Sequence, residues 1–142
     1  MEEIVIPKNI MDKMIDHARR DYPNECCGLL AGLKGEVYLF YEIDNDDKST
    51  ETYFMNPKEL LRSQKDIREK KMELLGIYHS HTHSEAYPSE TDMDKAHWPE
   101  SDMPLFPESF YLIISLEDFE KPVTRVFDIK KKGITEKKFR VV

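Results

Sequence analysis

The chain has 142 residues, which is enough for one domain with its own core but not for a second module. Its formal net charge is −7 and its pI is about 5.3, an acidic balance that disfavours nucleic-acid binding, because phosphate recognition draws on clustered Lys and Arg. We therefore expect one domain over residues 1–142 with no nucleic-acid partner.

The first residues, MEEIVIPKN, have neither the basic region nor the apolar region of a signal peptide. No apolar run approaches the ~18 residues that a membrane span needs. The sequence thus predicts a cytoplasmic protein with no membrane partner.

The first segments of the chain predict a helix followed by a hairpin. Residues 7–20 place apolar side chains on one stripe and charged ones on the other, which indicates a helix that covers a sheet. Residues 28–33 and 36–43 are strand-like runs separated by Lys34-Gly35, a hairpin turn signal. The adjacent Cys26 and Cys27 would strain a mutual disulfide, so we interpret them as small core residues that enter a strand.

The middle of the chain predicts a loop, a short strand and a second helix. Residues 44–50 are polar and indicate the loop, and residues 53–55 are a short strand candidate. Asn56-Pro57 supplies an N-cap and a first-turn proline for a helix that extends to about residue 73.

The remaining segments complete the fold class. We predict a strand over 74–81, a short helix over 90–97, and a surface loop over 98–108, where three prolines fall in eleven residues. An apolar strand over 110–116 shows no alternation, which suggests burial on both faces. The runs 123–129 and 134–141 flank Gly133 and are typical of a closing hairpin. This order predicts a mixed α/β domain whose helices cover a central sheet.

A metal-ligand pattern is present in the segment YHSHTHSEAYPSETD. His79 and His81 are two apart on a predicted strand, so both imidazoles face one side while Ser80 faces the other. Asp92 follows after a polar loop long enough to fold back and present a third ligand. Three protein ligands leave one tetrahedral position for water, which is the arrangement of catalytic zinc. The spacing therefore predicts one Zn²⁺ per chain at a hydrolytic site.

The same residues also have ordinary structural interpretations. A single His in an apolar run is more often a core or surface residue than a ligand. The sequence SETD fits a helix capping box with Ser89 as N-cap, and such a helix would hold Asp92 on its first turn, so this interpretation is compatible with a metal site. We interpret His83 as a rim residue, and His17 and His97 have no special spacing.

Hydrolysis of a peptide bond also needs a group that takes a proton from water and returns it to the leaving amine. Glu25, which precedes the run CCGLL, is the best candidate for this general base. Spacing alone does not distinguish it among the 28 acidic residues.

Together, the motifs ECCGLLAG and YHSHTHSEAYPSETD resemble those of the JAMM, or MPN+, zinc metallopeptidase family, which joins an upstream E-x-C-G to H-S-H, seven residues and S-x-x-D. The resemblance implies a single MPN (JAB1/MPN-type) domain, similar to cytidine deaminases, with a central mixed β-sheet flanked by helices. It implies that His79, His81 and Asp92 bind zinc. It also implies that Glu25 acts as general base and then acid, and that Ser89 hydrogen-bonds the developing oxyanion or holds the site in shape.

The residue after H-S-H indicates the kind of substrate. It is Thr82, where many eukaryotic members have proline, and in this the chain is similar to small stand-alone prokaryotic members. Those act on ubiquitin-like sulfur-carrier proteins and remove cysteine or short extensions from a diglycine C-terminus. We therefore expect a zinc-dependent peptidase or isopeptidase that cleaves after the Gly-Gly tail of such a partner.

Two alternatives remain open. One is a deubiquitinase-like isopeptidase that acts on ubiquitin-type conjugates. The other is a non-catalytic MPN scaffold that only binds partner proteins, although scaffold members lack part of the metal set that this chain retains.

Overall fold

The computed structural model describes residues 2–142, which form eight strands and three helices around one sheet. In chain order the elements are β1 (Ile4–Ile6), α1 (Lys8–Asp21), β2 (Cys27–Leu33), β3 (Glu36–Ile43), α2 (Pro57–Glu69), β4 (Glu73–His81), α3 (Glu90–Lys95), β5 (Phe110–Ser115), β6 (Val123–Lys130), β7 (Gly133–Lys137) and β8 (Phe139–Val141). The spatial order of the strands is β7-β6-β5-β4-β2-β3-β1-β8. The sheet is mixed, because β4 pairs in parallel with β5, and β1 with β3 and β8, while the other neighbours are antiparallel.

The two edges of this sheet are brought together by the last two strands. Only Lys138 separates β7, at one end of the strand order, from β8, at the other end. The sheet therefore curls until its edges are neighbours. The predicted single strand over 134–141 was wrong for this reason: its first half pairs with β6, and its second half crosses to pair in parallel with β1.

The helices lie on opposite faces of the sheet. Helix α1 packs Ile10, Met11 and Met14 into one apolar cluster, together with Tyr78 of β4. Helices α2 and α3 pack on the other face, in a cluster that includes Ile77. Successive residues of β4 thus alternate between the two cores, as the period of a strand requires. The predicted fold class, a mixed sheet flanked by helices, is confirmed.

The predicted hairpin between β2 and β3 is confirmed, with its turn at Lys34 and Gly35. Both residues have positive φ angles, 53° and 78°, which is the backbone geometry of the tight hairpin turn that best fits the twist of paired strands. Cys26 and Cys27 are buried free thiols, as expected of core residues at the entry of a strand. No helix within residues 2–142 is long and apolar enough to cross a membrane.

Helix α2 begins as predicted but ends four residues earlier than expected. Asn56 caps its N-terminus by accepting a hydrogen bond from the Glu59 N–H. Beyond Glu69, Lys71 adopts a left-handed conformation with φ 58°, and the N–H of Met72 donates to the carbonyl of Ile67 at 3.0 Å. This reversal normally uses glycine. Since Lys occupies the position here, the sequence carried no stop signal.

Two further boundaries differ from the prediction. The strand expected over 53–55 was wrong, since only Met55 makes an isolated bridge, with Asn45. The neighbouring backbone is bonded instead by the Asn45 side chain, which donates to the Thr52 carbonyl and accepts from the Phe54 N–H. Helix α3 ends at Lys95 rather than at residue 97.

Candidate metal centre

Strand β4 presents the two histidines from the centre of the sheet. The backbone of His79 pairs with Cys27 of β2 on one side and with Ile113 of β5 on the other. His79 and His81 face the α2 and α3 side, and both are buried. Ser80 faces the opposite side, where its Oγ accepts a hydrogen bond from the Cys26 N–H at 2.8 Å. The expectation that the imidazoles share one face is met.

Helix α3 aims the carboxylate of Asp92 at these imidazoles. Ser89 is its N-cap and forms a complete capping box: Ser89 Oγ accepts from the Asp92 N–H at 3.0 Å, and Asp92 Oδ2 accepts from the Ser89 N–H at 2.9 Å. The same Oδ2 lies 3.0 Å from Nε2 of His81 and 3.2 Å from Nε2 of His79. The capping box predicted for SETD is confirmed, and it is compatible with a metal site because it directs Asp92 toward the two imidazoles.

The spacing of these three atoms suits one metal ion. The two Nε2 atoms are 3.2 Å apart, so the atoms of His79, His81 and Asp92 form a nearly equilateral triangle that could hold an ion. Donors bound at about 2.0–2.1 Å around one tetrahedral ion stand about 3.3 Å from each other. Two imidazole lone pairs and a carboxylate oxygen meet in a buried position, a set of acceptors that a cation satisfies.

The two imidazoles are oriented by different means. His81 Nδ1 donates to the Glu85 carbonyl at 2.8 Å, which leaves the lone pair of Nε2 free to face the ligand triangle. His79 Nδ1 is buried and has no hydrogen-bond partner within residues 2–142. Its ring stacks instead on Tyr53, with centroids 4.6 Å apart and an angle of 27° between the planes.

Glu25 lies beside the ligands because of the register between β2 and β4. Cys27 pairs with His79, and the Ser80 N–H donates to the Cys26 carbonyl, so the next residue, Glu25, falls opposite His81. The residue is 3% exposed, and Oε1 has no hydrogen-bond partner among the described residues. Within residues 2–142, Glu25 and Asp92 are the only buried carboxylates. Burial separates Glu25 from the other acidic residues, which spacing could not do.

The two buried carboxyls have opposite protonation preferences. Burial raises the pKa of Glu25 to about 8, with the positive charge of His81 opposing the shift and the negative charge of Asp92 adding to it. Burial also disfavours ionised Asp92, but the charge and hydrogen bond of His79, with the bonds from His81 and Ser89, hold its pKa well below the usual range. Without a metal, Glu25 carries a proton at neutral pH and Asp92 does not.

His81 responds to the same surroundings. Burial lowers the pKa of His81, but the hydrogen bonds to Asp92 and to the Glu85 carbonyl outweigh it, so the net pKa is raised. Its imidazole therefore favours the charged form when Asp92 Oδ2 is its only partner at Nε2. Metal binding needs the neutral form, so it displaces a proton from this site.

The other histidines lie outside the ligand set. His17 Nδ1 is 2.8 Å from the Tyr78 hydroxyl on the α1 side of the sheet. His83 is exposed and contacts Tyr22, which agrees with a rim position. His97 Nδ1 donates to the carbonyl of Met93 within the turn that follows α3.

The loop over residues 44–56 supports the site through contacts that no sequence pattern indicates. Buried Asn45 donates to the Glu25 carbonyl at 3.0 Å and also bonds the backbone next to Tyr53. The hydroxyl of Thr82 donates to the Thr50 carbonyl at 3.0 Å. No spacing rule finds such contacts, because they form only when the loop folds over the end of β4.

An apolar groove of about 760 Å³ adjoins the site. Its lining includes Tyr53 and Leu60 on one side and the 98–108 loop on the other, through Trp98, Leu105 and Phe106. The loop over 98–108 thus forms a wall of the groove next to α3. The groove meets the metal centre at Tyr53, whose ring contacts both.

A buried triangle of metal donors at the end of a central strand, with a buried carboxyl next to it, is the arrangement expected of a metal-dependent hydrolase. The family model described as prokaryotic homologs of the JAB domain matches residues 7–129, and the chain belongs to this family.

Three known proteins show how far the similarity extends. The CysO-cysteine peptidase of Mycobacterium tuberculosis is 32% identical over 141 residues, which cover 98% of this chain and 91% of the relative. A solution structure from Desulfitobacterium hafniense is 38% identical, with a TM-score of 0.84 and coverage of 98% of this chain and 92% of that one. A JAB1/MPN domain protein from Archaeoglobus fulgidus shares the fold, with a TM-score of 0.57, 18% identity, and coverage of 99% and 97% of the two chains.

Proposed function

We propose that this protein is a zinc-dependent peptidase that hydrolyses the bond after the C-terminal Gly-Gly tail of a ubiquitin-like or sulfur-carrier protein. The observation that carries the proposal is the convergence of His79 Nε2, His81 Nε2 and Asp92 Oδ2 within 3.2 Å, with Glu25 buried beside them. The similarity to a CysO-cysteine peptidase over nearly the whole of both chains supports this substrate class.

His79, His81 and Asp92 would hold the zinc ion. Two neutral imidazoles and one carboxylate are a catalytic donor set, since they leave a fourth tetrahedral position open. When bound, zinc supplies a Lewis acid that lowers the pKa of water to about 7. A cation held by these residues would also favour ionised Glu25, because a positive charge nearby offsets the burial that raises the pKa of this carboxyl.

Glu25 then moves the proton. Its ionised carboxylate accepts a proton from the attacking water and returns it to the leaving amine as the peptide bond breaks. A carboxyl whose pKa is near neutrality can both accept and return a proton, and burial raises the pKa of Glu25 into this range. Ser89 would act by holding Asp92 through the capping box, and its hydroxyl hydrogen would serve the developing oxyanion.

The apolar groove is the surface that suits the part of the substrate chain next to the bond that is cleaved. Both sides of β4 are already paired, with β2 and β5, so the tail cannot add a strand there. The groove is larger than diglycine or a single cysteine needs, and it reaches the metal centre through Tyr53. We propose that it receives apolar side chains of the carrier protein that precede Gly-Gly.

Purified zinc-loaded protein tests the activity directly. It is incubated with a cognate carrier that bears a C-terminal cysteine and, in parallel, with ubiquitin dimers, and the products are weighed by mass spectrometry. We expect loss of cysteine from the carrier and intact ubiquitin dimers. Cleavage of the dimers with the carrier untouched would overturn the assignment in favour of a deubiquitinase-like isopeptidase, and no cleavage of either would favour a scaffold.

Two neighbouring leucines of α2 test the groove. Leu60 lines it, whereas Leu61 is 68% exposed and lies outside it. Leu60→Lys should raise KM for the carrier while kcat and zinc content are retained, because the groove contributes binding rather than chemistry. Leu61→Lys is the matched control and should leave all three unchanged. Equal KM values in the two variants would remove the groove from substrate binding.

A further inference from the structure

Apart from the contact between His79 and His81 themselves, Tyr53 makes the one ring contact to a proposed metal ligand within residues 2–142. Its ring lies on the imidazole of His79, with centroids 4.6 Å apart and planes 27° from parallel. This is a stacked contact, unlike the edge contact between the rings of His79 and His81.

The contact occurs on the proposed ligand histidine whose second ring nitrogen, Nδ1, makes no hydrogen bond. A metal-bound imidazole is normally held by a hydrogen bond from its second nitrogen, which fixes the direction of the ring. His81 has such a bond to the Glu85 carbonyl, whereas Nδ1 of His79 is buried without a partner within residues 2–142. The ring torsion of histidine is broad, so packing has to restrain His79.

Tyr53 is itself held from two sides. Lys95 of α3 donates to its carbonyl at 2.9 Å, and Asn45 bonds the backbone of both neighbours, Thr52 and Phe54, at 3.0 and 2.9 Å. Helix α3 also carries Asp92. Helix α3 therefore has two roles: it presents Asp92, and through Lys95 it holds the loop whose Tyr53 packs on His79.

We propose that Tyr53 is a positioning residue that holds His79 in its metal-binding orientation by stacking, in place of the hydrogen bond that this imidazole lacks. The inference rests on the proposed metal site. The ring acts here and the hydroxyl does not, so phenylalanine should replace tyrosine and an aliphatic residue should not.

Metal affinity, measured by competition with a chromophoric chelator, separates these cases without relying on activity. Tyr53→Leu should weaken zinc binding about tenfold, the usual scale for losing a contact that orients a ligand. Tyr53→Phe should retain the affinity of the unaltered protein. Phe54→Leu is the matched control: Phe54 is the next residue and lines the same groove, but makes no ring contact with His79, so its affinity should not change.

A second aliphatic variant and a second measurement guard against misfolding. Tyr53→Met preserves apolar volume, and thermal unfolding of the metal-free variants shows whether each is folded. Equal zinc affinity of Tyr53→Leu, Tyr53→Met and Tyr53→Phe would overturn the inference. A loss of affinity in Tyr53→Phe as large as that in Tyr53→Leu would do the same. If the unaltered protein bound no zinc, the metal site itself would be refuted, which is a distinct result.

Discussion

Replacement of Glu25 by glutamine should abolish turnover and, at the same time, stabilise the metal-free protein near neutral pH. The substitution is nearly isosteric and leaves the three proposed ligands in place, so zinc should be retained while catalysis falls by at least ~10²-fold, the usual contribution of a positioned acid and base. The stability effect follows from burial, because the fold raises the pKa of Glu25 from its ordinary 4.5 to about 8.

The sign and size of the stability effect follow from proton linkage. Between pH 4.5 and 8 the folded protein keeps a proton on Glu25 that the unfolded chain releases, so stability is full below pH 4.5 and falls as pH rises toward 8. From pH 5 to pH 7 this loss amounts to about 2.5 kcal/mol. Glutamine does not titrate, so the Glu25→Gln variant should not show this part of the loss.

Urea unfolding with excess chelator at pH 5 and pH 7 measures this difference. The other titrating groups are common to both proteins, so the difference in pH dependence reports Glu25 together with its electrostatic coupling to His81 and Asp92. The variant should gain about 2.5 kcal/mol relative to the unaltered protein between the two pH values. An identical pH dependence would refute the burial argument, and retained turnover would assign the general base to another residue.

Three further substitutions test the ligands and their support. His81→Ala should lose nearly all zinc by metal analysis, and a variant with full zinc would remove His81 from the ligand set. Ser89→Ala removes the cap of α3 and should lower the free energy of unfolding in urea by about 1 kcal/mol. It should also weaken zinc binding, because Asp92 is then less firmly held. Unchanged zinc affinity would contradict the role of Ser89 in holding Asp92. Gly28→Ala should destabilise the fold by about 1–3 kcal/mol in the same assay, since its methyl would meet both the Tyr41 carbonyl oxygen and the Tyr78 ring. Equal stability would refute this close packing.

Local patterns predicted most of the fold. The stripe of α1, the turn at Lys34 and Gly35 and the cap at Asn56 each act within a few residues, so their elements appear where expected. The last strand was mistaken because its pairing depends on the curl of the whole sheet, which links residues far apart in sequence. The end of α2 was mistaken because Lys71 takes a conformation that sequence assigns to glycine.

The candidate site divides in the same way. The spacing of His79, His81 and Asp92 indicated the ligand triangle, since strand period and helix capping are local properties. Glu25 needed the resemblance, because its nearness to His81 depends on the register between β2 and β4. Tyr53 and Asn45 were not found, since they reach the site through a loop with no periodic pattern.

The opposed preferences of Glu25 and Asp92 explain how one buried cavity can serve two kinds of chemistry. Both carboxyls are desolvated, yet only Asp92 has two imidazoles and a capping N–H around its oxygen, so it stays ionised as a metal ligand must. Glu25 has no such partners at Oε1, and its charge is left to depend on whether a cation is present. Pairs of titratable groups whose surroundings drive their pKa values apart mark the division between ligand and acid-base roles. A metal ion bound by the proposed ligands would supply the positive charge that the two buried carboxyls lack, and the stability of the protein should therefore rise with zinc concentration.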